Sequence, residues 1–186
     1  RRLPVGWNLM NLKDISIYLG RGVTPKYREG SSFWGINQKS NKGSILDKTF
    51  FKEFDPDLDI PESKYAHFGD VLINSLGEGT IGRVHHYLDE SRKYPVDQHM
   101  SIFRTLNLAL SNFVYQYLKS PEGQGLLISI KRGGTNMTML NIGELRKLFL
   151  LIPAEKVLNE FYTYCDPMNR MKKILIQQNE NLKQAR

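Results

Sequence analysis

The residues Gly77-Glu-Gly-Thr-Ile-Gly82 reproduce the G-x-G-x-x-G spacing with which backbone amides approach a pyrophosphate. That chemistry needs a strand before the glycines and a helix that starts inside them. The apolar run Asp70-Val-Leu-Ile-Asn74 reads as the strand. The next segment, Arg83-Val-His-His-Tyr-Leu88, alternates like a second strand and runs to Pro95 with no helical apolar face. The spacing therefore predicts a glycine-turned hairpin, with a nucleotide-binding enzyme built on the Gly77–Gly82 turn as the alternative. His85, His86, His99 and Asp97 are metal-ligand types, but no His-Glu-x-x-His or paired-cysteine spacing accompanies them. They read as strand positions or hydrogen-bonding surface groups. The carboxylates of 47–62, Asp55, Asp57 and Asp59 among them, are dense enough to chelate a hard cation. The glycine and closing glutamate of a calcium loop are missing, so this stretch reads as a solvated acidic loop. Cys165 has no nucleophile signature, and neither a Gly-x-Ser-x-Gly elbow nor a Walker A pattern occurs. A binding module becomes the leading class, with a purely structural adaptor as the third.

Recognition chemistry is better supplied. Arginine and lysine pair with guanine edges in a DNA major groove, and asparagine and glutamine pair with adenine edges. Polar loops carry such residues at Arg21, Thr24, Lys26, Arg28, Lys39, Lys42, Asn74, Arg83, Gln98, Lys131, Arg132, Thr135 and Asn136. The net charge of +7 and pI near 9.4 point the same way. The excess lies at the ends: residues 1–43 carry +6, 44–130 carry −4 and 131–186 carry +5. Folding that brings the two ends together would make a positive face able to track phosphates.

The elements that must position these residues can be read from pattern. With 186 residues, 40% hydrophobic and 24% charged, the chain is globular and long enough for one domain plus an appendage. One cysteine excludes a disulfide framework within the chain and fits a reducing compartment. No apolar run approaches the ~18 residues of a membrane span, so a cytoplasmic location is expected. The sequence opens Arg1-Arg2 without Met, as a piece of something longer would. Leu9–Leu19 predicts a strand and one helical turn, which Gly20-Arg-Gly-Val-Thr-Pro25 interrupts. Arg21–Lys42 is a long polar loop ordered by Tyr27 and Trp34. Strands are expected over Asp70–Asn74, Ile81–Leu88, Ser101–Thr105 and Leu148–Ile152. Ser111 is a candidate cap for a helix with Phe113, Val114, Tyr117 and Leu118 on one face. Ser120-Pro121 caps a second helix carrying Leu126, Leu127 and Ile130.

The last 33 residues are helical, with Asp166-Pro167 predicting a division into two helices. Beyond it, Met168, Met171, Leu175, Gln178 and Leu182 fall at a/d heptad positions, with Ile174 on the same side. Such a helix either folds back on its own domain or pairs with another helix or subunit. The period favours pairing, with Gln178 as a register marker and Lys172, Lys173, Glu180 and Lys183 on a polar face free to dock a partner.

The order of these pieces resembles the DNA specificity subunits of type I restriction-modification enzymes. The resemblance rests on Leu3-Pro-Val-Gly-Trp7, Gly20-Arg-Gly-Val-Thr-Pro25, Gly69-Asp-Val-Leu-Ile-Asn-Ser75 and Gly79-Thr-Ile-Gly82. It continues through Gly133-Gly-Thr135 before Leu140, the strand ending Ile152-Pro153, and Ile176-Gln-Gln-Asn-Glu-Asn-Leu182. It implies a mixed α/β target recognition domain with a twisted sheet over 1–153 and a long helical stalk over 154–186. It implies a non-catalytic chain that reads one half of a split double-stranded DNA target. The methyltransferase subunits and the ATP-driven restriction subunits are separate partners. S-adenosylmethionine and ATP belong to those partners, with no cofactor in this chain. Such subunits usually carry two recognition domains. A single one implies either a half-length chain acting as an antiparallel homodimer or a piece joined to a second recognition domain. Pro153-Ala-Glu-Lys156 stands where the family usually has a proline-rich, Glu-Gln-containing lead into the helix.

Overall fold

The computed structural model describes residues 3–77, 79–133 and 138–184. The chain begins with β1 (Asn8–Asn11), β2 (Tyr18–Arg21), β3 (Trp34–Gly35), β4 (Lys52–Glu53), β5 (Val71–Asn74), β6 (Val84–His86) and β7 (Met100–Arg104). Two helices come next, α1 (Leu108–Lys119) and α2 (Pro121–Ser129). The remainder holds β8 (Lys131–Arg132), β9 (Met139–Leu140), α3 (Ile142–Lys147), β10 (Phe149–Ile152) and α4 (Glu155–Gln184).

The central sheet has four strands in the order β2-β7-β5-β6, each pair antiparallel. Successive side chains on a strand point to opposite faces. Val71 and Ile73 of β5 accordingly pack with Leu19, Phe103, Val114, Leu118 and Leu127 under α1 and α2. Leu72 packs on the other face with Ile36, Val96, Met100 and Ile102. Both faces of β5 are thus covered, which explains why its sequence is continuously apolar rather than alternating. The fold is mixed α/β, with helices on one face of the sheet and a layer of long loops on the other. β1 pairs antiparallel with β10, tying the start of the chain to the strand that leads into α4.

Four local expectations change. Gly20 and Arg21 continue β2 instead of interrupting it, because Ile102 and Ser101 of β7 pair with them. Helix α1 is capped by Asn107, whose side chain accepts from the Leu110 amide at 2.9 Å, so Ser111 lies inside the helix. There Ser111 is buried and donates to the Gly69 carbonyl. Helix α3 has no counterpart in the periodicity, being only six residues long. Asn141 caps it through the amides of Gly143 and Glu144, and Leu145 is its one buried residue. Finally, α4 runs unbroken through Pro167. Asp166 accepts from the Tyr162 hydroxyl at 3.2 Å and pairs with Arg170 at 2.7 Å. These two i,i+4 contacts brace the turns on either side of the proline, where one backbone hydrogen bond is missing.

Helix α4 presents two faces. One folds back: Leu158 and Cys165 are buried, and Phe161 meets Phe113 edge-on at 6.3 Å. On the same side, Lys173 pairs with Glu90 at 2.7 Å and the Lys172 ammonium lies 6.0 Å from the Tyr115 ring. Lys172 and Lys173 therefore face the domain rather than a free polar surface. The other face leaves Tyr164, Met168, Met171, Ile174, Leu175 and Leu182 more than half exposed, with Gln178 exposed among them. Because the helix is continuous, this stripe begins at Tyr164, ahead of the proline.

Candidate nucleic-acid interface

The C-terminal end of β5 is where the polar segments converge. The amides of Ser75 and Leu76 donate to the His99 carbonyl at 2.8 and 3.0 Å, and the Leu140 amide donates to the Ser75 carbonyl at 2.9 Å. The loop after β2 runs beside residues 96–98, with Val23 N–H on the Val96 carbonyl and Gln98 N–H on the Val23 carbonyl. Gly22 permits this approach: a Cβ there would stand 2.1 Å from the Val96 oxygen and 2.4 Å from that of Asp97. Segments 21–28, 74–77, 97–99 and 138–140 thus lie side by side.

Buried carboxylates hold the basic loop in place. Asp55 is 1% exposed and pairs with Lys26 and Arg28, each at 2.7 Å. Lys26 first, then the Asp57 amide and Arg28, hold its carboxyl below the usual range against the opposing effect of desolvation. The stretch expected as a solvated acidic loop is therefore partly internal: buried Asp55 sits between Lys26 and Arg28, while exposed Asp57 supplies the second negative charge by pairing with Arg28 at 2.7 Å. Between them in sequence, Tyr27 donates its hydroxyl to the buried Asp97 at 2.7 Å. Burial, then that bond, raises the Tyr27 phenol well above its ordinary value. Asp97 also accepts from the His99 amide at 2.7 Å and from His99 Nδ1 at 2.5 Å.

The predicted recognition residues divide by what they already touch. Arg21 is turned inward, donating to the Leu140 and Gln98 carbonyls at 2.5 and 3.5 Å, and burial lowers its guanidinium from the ordinary value. Asn74 is fully buried, accepting from Asn41 and donating to the Gln38 carbonyl, both at 2.9 Å. A contact from Asn74 to DNA is therefore corrected: its amide is consumed joining loop 38–41 to β5. Arg83 is half-buried and donates to the Asn41 carbonyl at 2.8 Å. Thr24 and Gln98 are joined side chain to side chain at 2.9 Å. Lys39 and Lys42 are exposed, with the Lys42 ammonium 3.9 Å from the Phe50 ring centroid. Lys131 is half-buried, and Arg132 is exposed with Glu144 4.0 Å away. Thr135 and Asn136 lie outside the described residues. Tyr27, Asp97 and His99 belong to this surface although the residue pattern does not select them for it. The Asp-x-His spacing, which lets one carboxylate hold the amide and ring two residues on, is the available signal.

The glycine turn is a hairpin, as its pattern predicts. Gly77, Gly79 and Gly82 have φ of 104°, 73° and 83°, which explains the three glycines without a bound phosphate. The chain passes directly into β6, antiparallel to β5, so no helix starts at the glycines. The turn borders a shallow cleft of about 250 Å³ lined by Gly43, Thr80, Arg83, Lys119 and Gln124. His85 and His86 are both buried and separately engaged. His85 Nδ1 lies 2.9 Å from the Gly43 carbonyl, and His86 stacks on Tyr115 at 5.2 Å. Among the described residues no cluster of three or more His, Cys, Asp or Glu side chains is placed to hold a metal ion.

Comparison with solved structures places this architecture. A chain from a structure of type I R-M system assembly and conformational transition matches with a TM-score of 0.61 at 17% identity, covering 94% of this chain and 41% of its own. The HsdS subunit from Thermoanaerobacter tengcongensis matches at 0.56 and 16% identity, covering 95% and 40%. The type I restriction-modification S subunit from M. genitalium matches at 0.55 and 14% identity, covering 93% and 43%. The fold is that of type I specificity subunits. The likeness runs over nearly the whole of this chain, which spans about two-fifths of each neighbour. A scan of family models and a search of curated protein sequences give no match. No helix among the described residues is long and apolar enough to cross a membrane.

Proposed function

We propose that this chain is the DNA-reading part of a type I restriction-modification specificity subunit. It binds double-stranded DNA and selects a short sequence, one half of a split target. It thereby directs methyltransferase subunits and, through the assembled complex, the ATP-driven restriction subunits. On this reading it is not itself an enzyme and acts in the cytoplasm, with S-adenosylmethionine and ATP bound by the partners. Residues 1–153 are the recognition domain and 154–186 the spacer that fixes its distance from a second one. The observation that carries the reading is the specificity-subunit fold over nearly all of the chain, together with one polar surface at the end of β5. Thr24, Lys26, Arg28, Lys39, Lys42, Gln98 and Arg132 are the exposed or half-exposed candidates to meet DNA there. Lys131 lies beside them, and Thr135 and Asn136 are assigned to the same role. Arg21, Asn74 and Arg83 support the surface from beneath.

The apolar stripe Met168, Met171, Ile174, Leu175, Leu182, with Gln178 setting register, pairs with a second helix. That helix comes from an antiparallel copy of this chain or from a second recognition domain. The test of the DNA reading is a titration against duplex DNA over a range of salt. Each phosphate neutralised contributes about −0.9 to the slope of log affinity on log salt, so some ~4–6 contacts give weak binding at physiological salt and strong binding below it. Tight binding without a salt slope refutes the electrostatic argument, and no binding at any salt leaves a structural adaptor. Calorimetry with nicotinamide cofactors, S-adenosylmethionine and ATP tests the enzyme alternative, which the strand that leaves the glycine turn disfavours.

A further inference from the structure

Within the surface at the end of β5, one side chain is held more rigidly than its exposure requires. Asp97, 1% exposed, spends both carboxylate oxygens on its neighbours: Oδ1 on the amide and Nδ1 of His99, and Oδ2 on the Tyr27 hydroxyl. A carboxylate only accepts, so Nδ1 of His99 carries the proton in that pair. The His99 side chain remains 37% exposed, and among the described residues no group pairs with its Nε2. The ring is thus fixed at one nitrogen and open at the other. With Nδ1 protonated, Nε2 of the neutral ring is a hydrogen-bond acceptor.

The surroundings of His99 favour a base edge over a phosphate. Phosphates are taken by cations with charge to spare. Here the Arg21 guanidinium points inward at two carbonyls, and Lys26 and Arg28 are paired with Asp55. The immediate neighbours, Thr24 and Gln98, are neutral and bonded to each other. A polar group fixed in one orientation discriminates because a wrong partner leaves it unpaired.

Resting on the reading that this surface meets DNA, we propose that His99 is a base-reading residue. Its Nε2 accepts one hydrogen bond from an amino-bearing base edge, adenine N6 or cytosine N4, and Asp97 is the positioning residue that fixes the ring. The test is selection of bound duplexes from a random pool at low salt by the 186-residue chain, as wild type, His99→Ala and Asp97→Asn. The wild type should demand adenine or cytosine at one position. His99→Ala should lose that demand at that position alone, binding the best site roughly ten-fold less well with an unchanged salt slope and urea midpoint. Asp97→Asn keeps one carbonyl oxygen on the His99 amide and Nδ1 but loses the carboxylate charge that fixes the ring, so it should weaken the preference at the same position without changing the base chosen. A His99→Ala profile identical to wild type overturns the assignment and leaves the DNA reading standing. So does a uniform loss of affinity with a salt slope shallower by about one, which marks a phosphate contact. A lost preference for guanine overturns the acceptor role. A wild-type chain that binds DNA but selects no sequence overturns the assignment together with the sequence-selecting part of the reading beneath it, and one that binds no DNA overturns that reading whole.

Discussion

Lowering the pH from about 7.5 to about 5 should cost the fold about 4 kcal/mol through His85 and His86 alone. Burial is the main cause for both rings: it lowers His85 to about 3 and His86 to about 4. The Gly43 carbonyl resists the shift at His85, and Lys172 adds to it at both rings. In the unfolded chain each returns to about 6.5, so between these values the unfolded state binds more protons and stability falls with falling pH. At about pH 5 each ring loses roughly 1.36 kcal/mol for every unit below 6.5, or about 2 kcal/mol. The figure depends little on the folded value, provided that value lies well under 5. Asp70 acts in the opposite sense, because burial raises its carboxyl despite Arg104. The informative quantity is therefore a difference between variants. Urea unfolding of wild type and His86→Phe, which keeps the stack on Tyr115, should show a pH dependence smaller by about 2 kcal/mol in the variant. Equal dependence in the two proteins would refute the claim that His86 is buried and neutral.

Four other outcomes rest on named contacts. Asp70→Ala leaves Arg104 without its two-pronged partner at 2.8 Å and should cost about 3–5 kcal/mol in urea unfolding. Gly22→Ala drives a methyl into the Val96 carbonyl and should cost about 1–3 kcal/mol or more by thermal unfolding, with the 21–28 loop displaced. Asp55→Asn releases Lys26 and leaves Arg28 only its pair with Asp57 at 2.7 Å, so on the proposed DNA reading low-salt affinity for random duplex DNA should rise several-fold while sequence preference weakens. Met171→Glu with Leu175→Glu should convert a self-associated wild type to monomer by light scattering, with little change in the stability of the domain. If both proteins have the same mass, the stripe is not a self-pairing surface.

Much of the architecture was legible because it rests on short-range rules. The β5–β6 hairpin could be read from the alternation after Gly82, and α2 from Ser120-Pro121, whose hydroxyl accepts from the Gly123 amide at 3.2 Å. The misreadings arose where a distant partner decided the outcome. Asp166-Pro167 has the form of a helix start, but Tyr162 and Arg170 sit one turn away on each side and the helix passes through. Ser111 has the form of a cap, but the Gly69 carbonyl and the His86 ring claim its hydroxyl from across the core. The residue types of the candidate surface could be read from composition, but not which of them the fold turns inward. Asn74 and Arg21 are the right residue types for reading bases, and both are used to join segments 33 or more positions apart. Nothing in the local pattern distinguishes an amide that faces solvent from one that replaces a missing backbone bond.

The charge pattern gains its meaning from burial. An acidic middle between two basic ends looks like a neutral body with positive arms. Instead, Asp55, Asp70 and Asp97 are each at most 1% exposed, and each holds a side chain from a different part of the chain. Asp55 binds Lys26 and Arg28, Asp70 binds Arg104, and Asp97 binds Tyr27 and His99. A buried carboxylate without a partner is costly, so each of these ties is strongly directional. The long loop from 22 to 42 is short of regular structure, with β3 its one strand, and two of the three carboxylates are spent on it. That is the arrangement expected of a loop whose side chains must be presented in one geometry before a ligand arrives, since ordering them on binding would subtract from affinity. Cations held this way give up part of their attraction for phosphates and keep their positions. On the proposed DNA reading, Lys39 and Lys42, exposed and paired with no carboxylate among the described residues, would supply the salt-dependent part of the binding.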